Sequence, residues 1–468
     1  METIKKLSGK EKFAYGIGAV GKDLVYMLSA SYVLYYYQDV LGVSAVAMGM
    51  ILFAARVFDA FNDPIMGILV AKTKTRWGKF RPWLFVGTIL NAIVLYLMFS
   101  APPTLNGNGL VAYAAVTYIL WGVTYTMMDI PYWSIVPAFT QSGKEREGLS
   151  ALARSCAGVG SAVASVVTVM CVGALGKLAG GSDMTKIERL GYRYFALIVA
   201  VIFVLFITIT CLTIKEKSSV EMDAPSVKEM FQALFRNDQA VTMVIAIVMI
   251  NTALYITFNL VIYFFKYDFS PEAWQGNYTL FNTFGGGFQI LAMMLLFPLL
   301  RKLLNTMKIF YLCFAMALSG YVVLLGISFS GIDNFYALLI PAFLIMSSLG
   351  MMNVIVTIFL ANTVDYGELK NGRRDESVIF SMQTFVVKLA SGLAALLASL
   401  VLSIFHIQKD ENAVITAIDQ TSRMGLRLSM TVVPILILIV AVIIFCKKYV
   451  LTDEKLEEIN KELRKRSN

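Results

Sequence analysis

The stretch VAMGMILFAARVFDAFNDPIMGILVA (46–71) decides the fold class, because it is apolar from end to end yet carries Arg56, Asp59 and Asp63 near its middle. Roughly 20 apolar residues in helical form cross the hydrocarbon core of a bilayer. A charge inside such a run costs about 2.5–3.5 kcal/mol against lipid, so it has to face protein or water. Working outward, runs of similar length at 14–37, 83–101, 110–139, 151–175, 193–214, 240–266, 277–300, 308–328, 334–364, 378–405 and 425–447 predict about twelve membrane spans. The composition agrees. With 468 residues, 58% hydrophobic and 15% charged, and a mean hydropathy of +0.70, the chain has too little polar surface to enclose a soluble core.

The net charge of +9 does not point to nucleic acid, because the basic residues stand in short clusters between apolar runs. An even span count puts both termini on one side. Lys and Arg gather at KTKTRWGKFR (72–81), SGKEREG (142–148), the connector near 214–238, RKLLNTMK (301–308), LKNGRRDE (369–376) and the tail, which predicts that side to be cytoplasmic. MTKIERLGYR (184–193), read as a loop between spans five and six, is the exception. The polar connector divides the chain into a six-helix bundle at 1–214, a middle loop at 215–239, a second six-helix bundle at 240–447 and a tail at 448–468. Residues 454–468 read as a short, charged, solvated helix.

Several features carry no chemistry in this reading. Cys156, Cys171, Cys211, Cys313 and Cys446 sit in apolar runs without metal-ligand spacing, and read as packing residues. His406, the one histidine, reads as a surface residue. Gly16, Gly18 and Gly21 spell GxGxxG inside the first span, where small residues serve close helix approach rather than dinucleotide binding. The lysines before the first span do not lead into a cleavable signal peptide, so that span is expected to stay. No cofactor is expected.

Eight ionisable groups stand out within the spans or at their inner ends: Lys22, Asp23, Arg56, Asp59, Asp63, Asp129, Arg154 and Lys388. Together they would cost roughly 20–28 kcal/mol against lipid, so they are expected to line an interior cavity. Asp59 and Asp63, one helical turn apart, repel each other unless a proton, a cationic side chain or an alkali cation intervenes. Asn62 adds an amide oxygen, Thr126 a hydroxyl, and Pro64 is expected to disturb the backbone and expose a carbonyl. Arg56 can satisfy only one of the two carboxylates. In the fourth span, Tyr125, Asp129 and Trp133 recur on one face, where an aromatic ring beside a carboxylate suits a sugar. Lys22 and Asp23 point about 100° apart on a helix, so each is expected to need a separate partner. Asp23 is read as a second acceptor of sugar hydroxyls, and Arg154 as donating to ligand oxygens or steadying Asp23. Lys388, read as the one deep charge of the C-terminal half, is expected to pair with the Asp59/Asp63 cluster across the bundle interface.

YGIGAVGKD (15–23), ARVFDAFNDPIMG (55–67), RWGKFRPW (76–83), VTYILWGVTYTMMDIPYWSIVP (116–137) and NTVDYGELK…RRDES…MQTFVVK (362–388) resemble the melibiose-permease group of the glycoside–pentoside–hexuronide:cation symporters, within the major facilitator superfamily. The resemblance runs nearly end to end. It implies a major facilitator fold in a bacterial inner membrane and sodium-, lithium- or proton-coupled uptake of a galactoside or related glycoside. It also implies that Asp59, Asn62, Asp63 and Thr126 hold the cation, with Asp59 and Asp63 as the ligands of Na+ or Li+. Lys22, Asp23, Asp129, Trp133 and Arg154 would hold the sugar, with Tyr125, Gln383, Thr384 and Lys388 lining the site. Asn353 and Asn362 stand where the group carries a tryptophan and an aspartate. The partners so implied are a glycoside, a monovalent cation and membrane lipid. Competing readings are a pentoside or hexuronide carrier, a lipid or drug carrier with an apolar cavity, a sensor without net transport, and an intramembrane hydrolase using Asp59 and Asp63 as an acid/base dyad.

Overall fold

A computed structural model describes residues 7–139, 143–216, 227–372, 376–407 and 418–467. Among them, twelve helices are long and apolar enough to cross a membrane, as the hydropathy pattern predicts. The chain divides into two compact units.

The first unit holds α1 (Gly9–Tyr35, continued by a π-helical turn at Tyr36–Val40), α2 (Ala45–Lys72), α3 (Arg81–Met98), α4 (Gly107–Ser134), the short α5 (Val136–Phe139), α6 (Gly143–Leu178) and α7 (Met184–Thr213). Helix α1 starts at a capping box, in which the Ser8 hydroxyl accepts from the Glu11 N–H and the Glu11 carboxylate accepts from the Ser8 N–H. It packs against α6 and α7. The GxGxxG glycines make that approach: a Cβ on Gly16 would stand 3.0 Å from Cys156 Sγ, one on Gly21 3.2 Å from Phe206, and one on Gly18 would collide with Thr210.

The second unit holds α8 (Val227–Arg236), α9 (Asp238–Phe264, with a π-helical turn at Phe265–Phe269), α10 (Trp274–Leu291, with another at Ala292–Leu296), α11 (Phe297–Arg301), α12 (Thr306–Ser330), α13 (Leu339–Asn371), α14 (Glu376–Ile404), α15 (Gln420–Lys448) and α16 (Asp453–Ser467). Helix α9 lies between α14 and α15, and α12 pairs with α13. Between α9, α10, α12, α13 and α15 is a cavity walled by apolar side chains, among them Val261, Phe281, Leu324 and Met346. Its two hydroxyls, Thr257 and Tyr321, are bonded to each other at 2.9 Å.

The structure corrects or refines five local expectations. Residues 184–193 are not a loop but the first turns of α7, capped by Asp183, whose carboxylate accepts from the Lys186 N–H at 2.9 Å. Their charges are absorbed locally: Tyr35 donates to the buried Glu188 at 2.8 Å, Arg189 donates to the Ala101 carbonyl and Arg193 to the Tyr96 hydroxyl. Helix α2 continues past Pro64, so the disturbance does not end the helix, while the missing N–H leaves the carbonyl one turn earlier without its helical donor. The middle connector contains an amphipathic helix, α8, whose Phe231 meets Phe385 of α14. The tail is not purely solvated either, since α16 packs on α13 and Ile459 is buried. Finally, Lys388 is not the sole deep charge of the C-terminal half. Arg427 holds Asp268 through two bonds of 2.6 and 2.7 Å, and the Asp268 side chain is 0% exposed. His406 is exposed, as expected, and the five cysteines are free.

Candidate functional site

The first unit brings charges from α1, α2 and α4 into two adjoining clusters that share α4. In one, Lys22 of α1 is the hub. Its Nζ stands 2.9 Å from Asp23 Oδ1 and 2.8 Å from Asp129 Oδ1, and donates to the Tyr125 hydroxyl at 3.1 Å. The same ammonium lies over the Tyr125 and Trp133 rings, at 5.5 and 5.3 Å from their centroids. The expectation that Lys22 and Asp23 cannot pair is therefore wrong. Helical geometry separates their Cβ atoms by about 100°, but the four-carbon lysine stem bends back far enough to bridge its neighbour and α4 together.

Asp129 also accepts from Trp133 Nε1 at 3.2 Å, and Ser161 of α6 donates to Asp23 Oδ2 at 3.3 Å. Arg154 does not steady Asp23. Among the described residues it forms no ion pair; it is exposed and stacks on the Trp133 ring, 5.1 Å from its centroid. Asp23 and Asp129 thus keep unused lone pairs, and Arg154 keeps its donors, around the face of a tryptophan. That is the equipment to hold a polyhydroxylated ring with one apolar face.

The second cluster centres on α2. Arg56 and Asp59 form a buried pair, with Nη1 to Oδ2 at 3.1 Å and side chains 6% and 5% exposed. The guanidinium also donates through Nη2 to the Tyr118 hydroxyl at 2.9 Å and lies over the Tyr118 and Trp121 rings. As expected, Arg56 answers only one of the carboxylates. Asp63, half-buried one turn on, accepts from Thr126 Oγ1 at 2.9 Å. Asn62 is buried beside them, and its Nδ2 finds no acceptor among the described residues. A half-turn of that amide presents Oδ1 to the same space. Among the described residues, no three His, Cys, Asp or Glu side chains converge as a multivalent metal site would require. Two carboxylates with neutral oxygens from Thr126 and Asn62 suit a hard monovalent ion instead.

Three of the residues expected at the site lie on α14 of the second unit. The side chains of Gln383 and Thr384 fall outside the described residues, while Lys388 is half-buried and its carbonyl accepts from Ser391 Oγ at 2.7 Å. Sequence reading missed Gly122, Tyr118, Asn91 and Ser161. A Cβ on Gly122 would stand 2.9 Å from Asp59 Oδ1, so only glycine lets α4 come that close to the carboxylate. Asn91 of α3 is fully buried and donates through Nδ2 to the Trp121 carbonyl and to Thr124 Oγ1, both at 3.0 Å. The sequence signal for both was a small or polar residue inside an apolar run.

A family model described as MFS/sugar transport protein matches residues 14–453. The chain belongs to the MFS/sugar transport protein family. It is a multi-pass membrane transporter and not an enzyme, which removes the hydrolase reading of Asp59 and Asp63. It is similar to a lactose permease of Lactobacillus delbrueckii subsp. bulgaricus, 28% identical over 470 residues that cover 97% of this chain and 72% of the relative. It is also similar to the inner membrane symporter YicJ of Escherichia coli (strain K12), 26% identical, covering 98% of this chain and 95% of the relative. Among solved structures, a crystal structure of the nucleoside transporter NupG superposes with a TM-score of 0.66 at 13% identity, covering 93% of this chain and 100% of that one. At that identity the likeness speaks for the fold alone. In membrane transporters embedded charges often mark substrate and ion pathways, and the two clusters on α1, α2 and α4 bring together seven of this chain's, counting Arg154 of α6.

Proposed function

We propose that this protein is a secondary active symporter of a bacterial inner membrane, coupling the influx of sodium, or of lithium or a proton, to uptake of a galactoside or related glycoside. The observation that carries the proposal is the sharing of α4 by the two clusters: Thr126 reaches Asp63, while Tyr125 and Asp129, on the same and the next turn, reach Lys22. Cation chemistry on α2 and sugar chemistry on α1 are thereby tied to one rigid rod. The names of the relatives, a lactose permease and an inner membrane symporter, support the same reading.

The cation is held by Asp59, Asn62, Asp63 and Thr126. The glycoside is held by Lys22, Asp23, Asp129, Trp133 and Arg154, with Tyr125 lining its pocket and Gln383, Thr384 and Lys388 contributed by the second bundle. Trp133 offers its face to the CH side of the sugar while Asp23 and Asp129 accept its hydroxyls and Arg154 donates to ring or linkage oxygens. A cation held by Asp59 and Asp63 relieves the repulsion between two carboxylates one helical turn apart, which favours the loaded carrier for the change of faces. By linkage, the sugar then tightens cation binding by the factor with which the cation tightens sugar binding. Both termini face the cytoplasm, and the bundles at 1–214 and 240–447, joined by the loop at 215–239 and followed by the tail at 448–468, provide alternating access to the two sides of the membrane. Melibiose is the first galactoside to test; a pentoside or hexuronide is the nearest alternative class.

The test is a binding panel of α- and β-galactosides, pentosides and hexuronides on purified protein, each with Na+, with Li+ and with neither across a pH series. A galactoside whose Kd falls at least fivefold with one cation is the expected result. Sugar binding indifferent to every cation and to pH would end the symport reading.

A further inference from the structure

The two clusters are joined by more than the backbone of α4. Tyr118, Trp121 and Tyr125 follow one another along that helix, and their rings form a continuous stack: Tyr118 on Trp121 at 5.8 Å with planes 19° apart, and Trp121 on Tyr125 at 5.1 Å with planes 22° apart. Tyr26 of α1 closes the side of the stack, tilted against both Trp121 and Tyr125. A cation grips each end. Arg56, the partner of Asp59, donates to the Tyr118 hydroxyl and lies over the Tyr118 and Trp121 rings, while Lys22, the partner of Asp23 and Asp129, donates to the Tyr125 hydroxyl and lies over its ring.

From this chain of contacts we propose that Trp121 is the positioning residue that couples the cation site to the sugar site. The proposal rests on the symport reading above. Trp121 touches neither carboxylate of the cation pair, yet it is 1% exposed, its Nε1 has no acceptor among the described residues, and its carbonyl is pinned by the Asn91 amide. A ring so completely buried between two stacked neighbours transmits a displacement on one side to the other. The switching element is Arg56. Without a cation its guanidinium is shared between Asp59 and the rings. A cation on Asp59 neutralises that partner, so the guanidinium shifts its hold toward Tyr118 and Trp121, whose faces attract a desolvated cation strongly. Because the stack is incompressible, the shift moves Tyr125 and its hydroxyl, and with it the Lys22 ammonium that sets how much of Asp23 and Asp129 is free for sugar hydroxyls. Sugar binding then acts back along the same stack, as reciprocity requires. The competing route runs directly from Thr126 and Asp63 through the backbone of α4 and needs no ring at position 121.

The experiment compares the native protein with Trp121→Phe, Trp121→Leu, Thr126→Val and the Trp121→Leu/Thr126→Val double variant, each checked for an unchanged elution profile and melting curve. Galactoside Kd is measured with and without saturating cation, and the ratio of the two is the coupling. Trp121→Leu is expected to bring the ratio to within twofold of one while cation-free sugar affinity changes less than threefold; Trp121→Phe, which keeps a flat ring, should retain at least half of the native ratio. A native-like ratio in a folded Trp121→Leu protein overturns the proposal, and a loss of ratio in Thr126→Val with cation affinity unchanged, and none in Trp121→Leu, assigns the coupling to the backbone route. A ratio of one in the native protein itself would be a failure of the symport reading, recognisable because it precedes any substitution.

Discussion

The two units bury polar chemistry in opposite ways. In the first, Arg56, Asp59, Lys22 and Asp129 meet midway along membrane-spanning helices, with aromatic rings around them. In the second, the described ion pairs stand at helix ends, Asp268 with Arg427 and Asp238 with Lys370, and the mid-helix cavity has apolar walls. Buried pairs within spans are costly and rarely kept for stability alone, whereas pairs at helix ends fasten neighbouring elements, with Arg427 still partly open to solvent. The difference is that the first unit carries described ion pairs within its spans, where the proposed site lies, while the described pairs of the second unit named above fasten helix ends.

Four measurements break or sharpen that contrast, beginning with the largest effect. Asp59→Asn leaves Arg56 buried without its counter-charge, so a loss of about 3–5 kcal/mol in stability and of cation-stimulated uptake is expected, with most of the stability regained in Arg56→Met/Asp59→Asn. No recovery in the double variant would mean the carboxylate serves more than this pair. Asp129→Asn should raise galactoside Kd ten- to a hundredfold while cation binding, read by heat release, stays within threefold of native. Equal damage to both ligands would show that the two clusters are one site.

Asp268→Asn in the second unit should lower stability by about 1.5–3 kcal/mol, because Arg427 loses its two charge-assisted bonds, and leave galactoside Kd within twofold. A tenfold change in Kd would abolish the distinction between working and fastening pairs. Ala342→Val, which fills space at the apolar cavity, should raise stability by about 0.5–1 kcal/mol without changing uptake. Slower uptake at unchanged affinity would show that the cavity is room for movement rather than a packing defect.

Much of the site was legible in the chain. Asp59 with Asp63, and Tyr125 with Asp129 and Trp133, stand out because charges and rings at helical spacing are conspicuous against an apolar run. What escaped notice has a common cause. Gly122 and Asn91 are ordinary in a membrane helix until a neighbour's carboxylate or carbonyl is known to lie against them. Glu188 and Asp268 fell outside the apolar runs because their helices extend beyond the hydropathic stretch, where Tyr35 and Arg427 satisfy them. The bond between Lys22 and Asp23 was ruled out by reasoning from Cβ directions, which says little about a side chain as long as lysine.

Hydropathy alone determined the class of this protein, its twelve spans and the helices that had to face inward, because the cost of charge in lipid is a local property of each residue. The tertiary structure decided which charge answers which: Lys22 serves two aspartates, Arg56 takes Asp59, Thr126 reaches Asp63, and Trp121 stands between the two groups. Spacing along α2 already offered Arg56 to Asp59, but the bonds of Lys22 to Asp129 and of Thr126 to Asp63 depend on distances between helices far apart in the chain, which no spacing along one helix encodes.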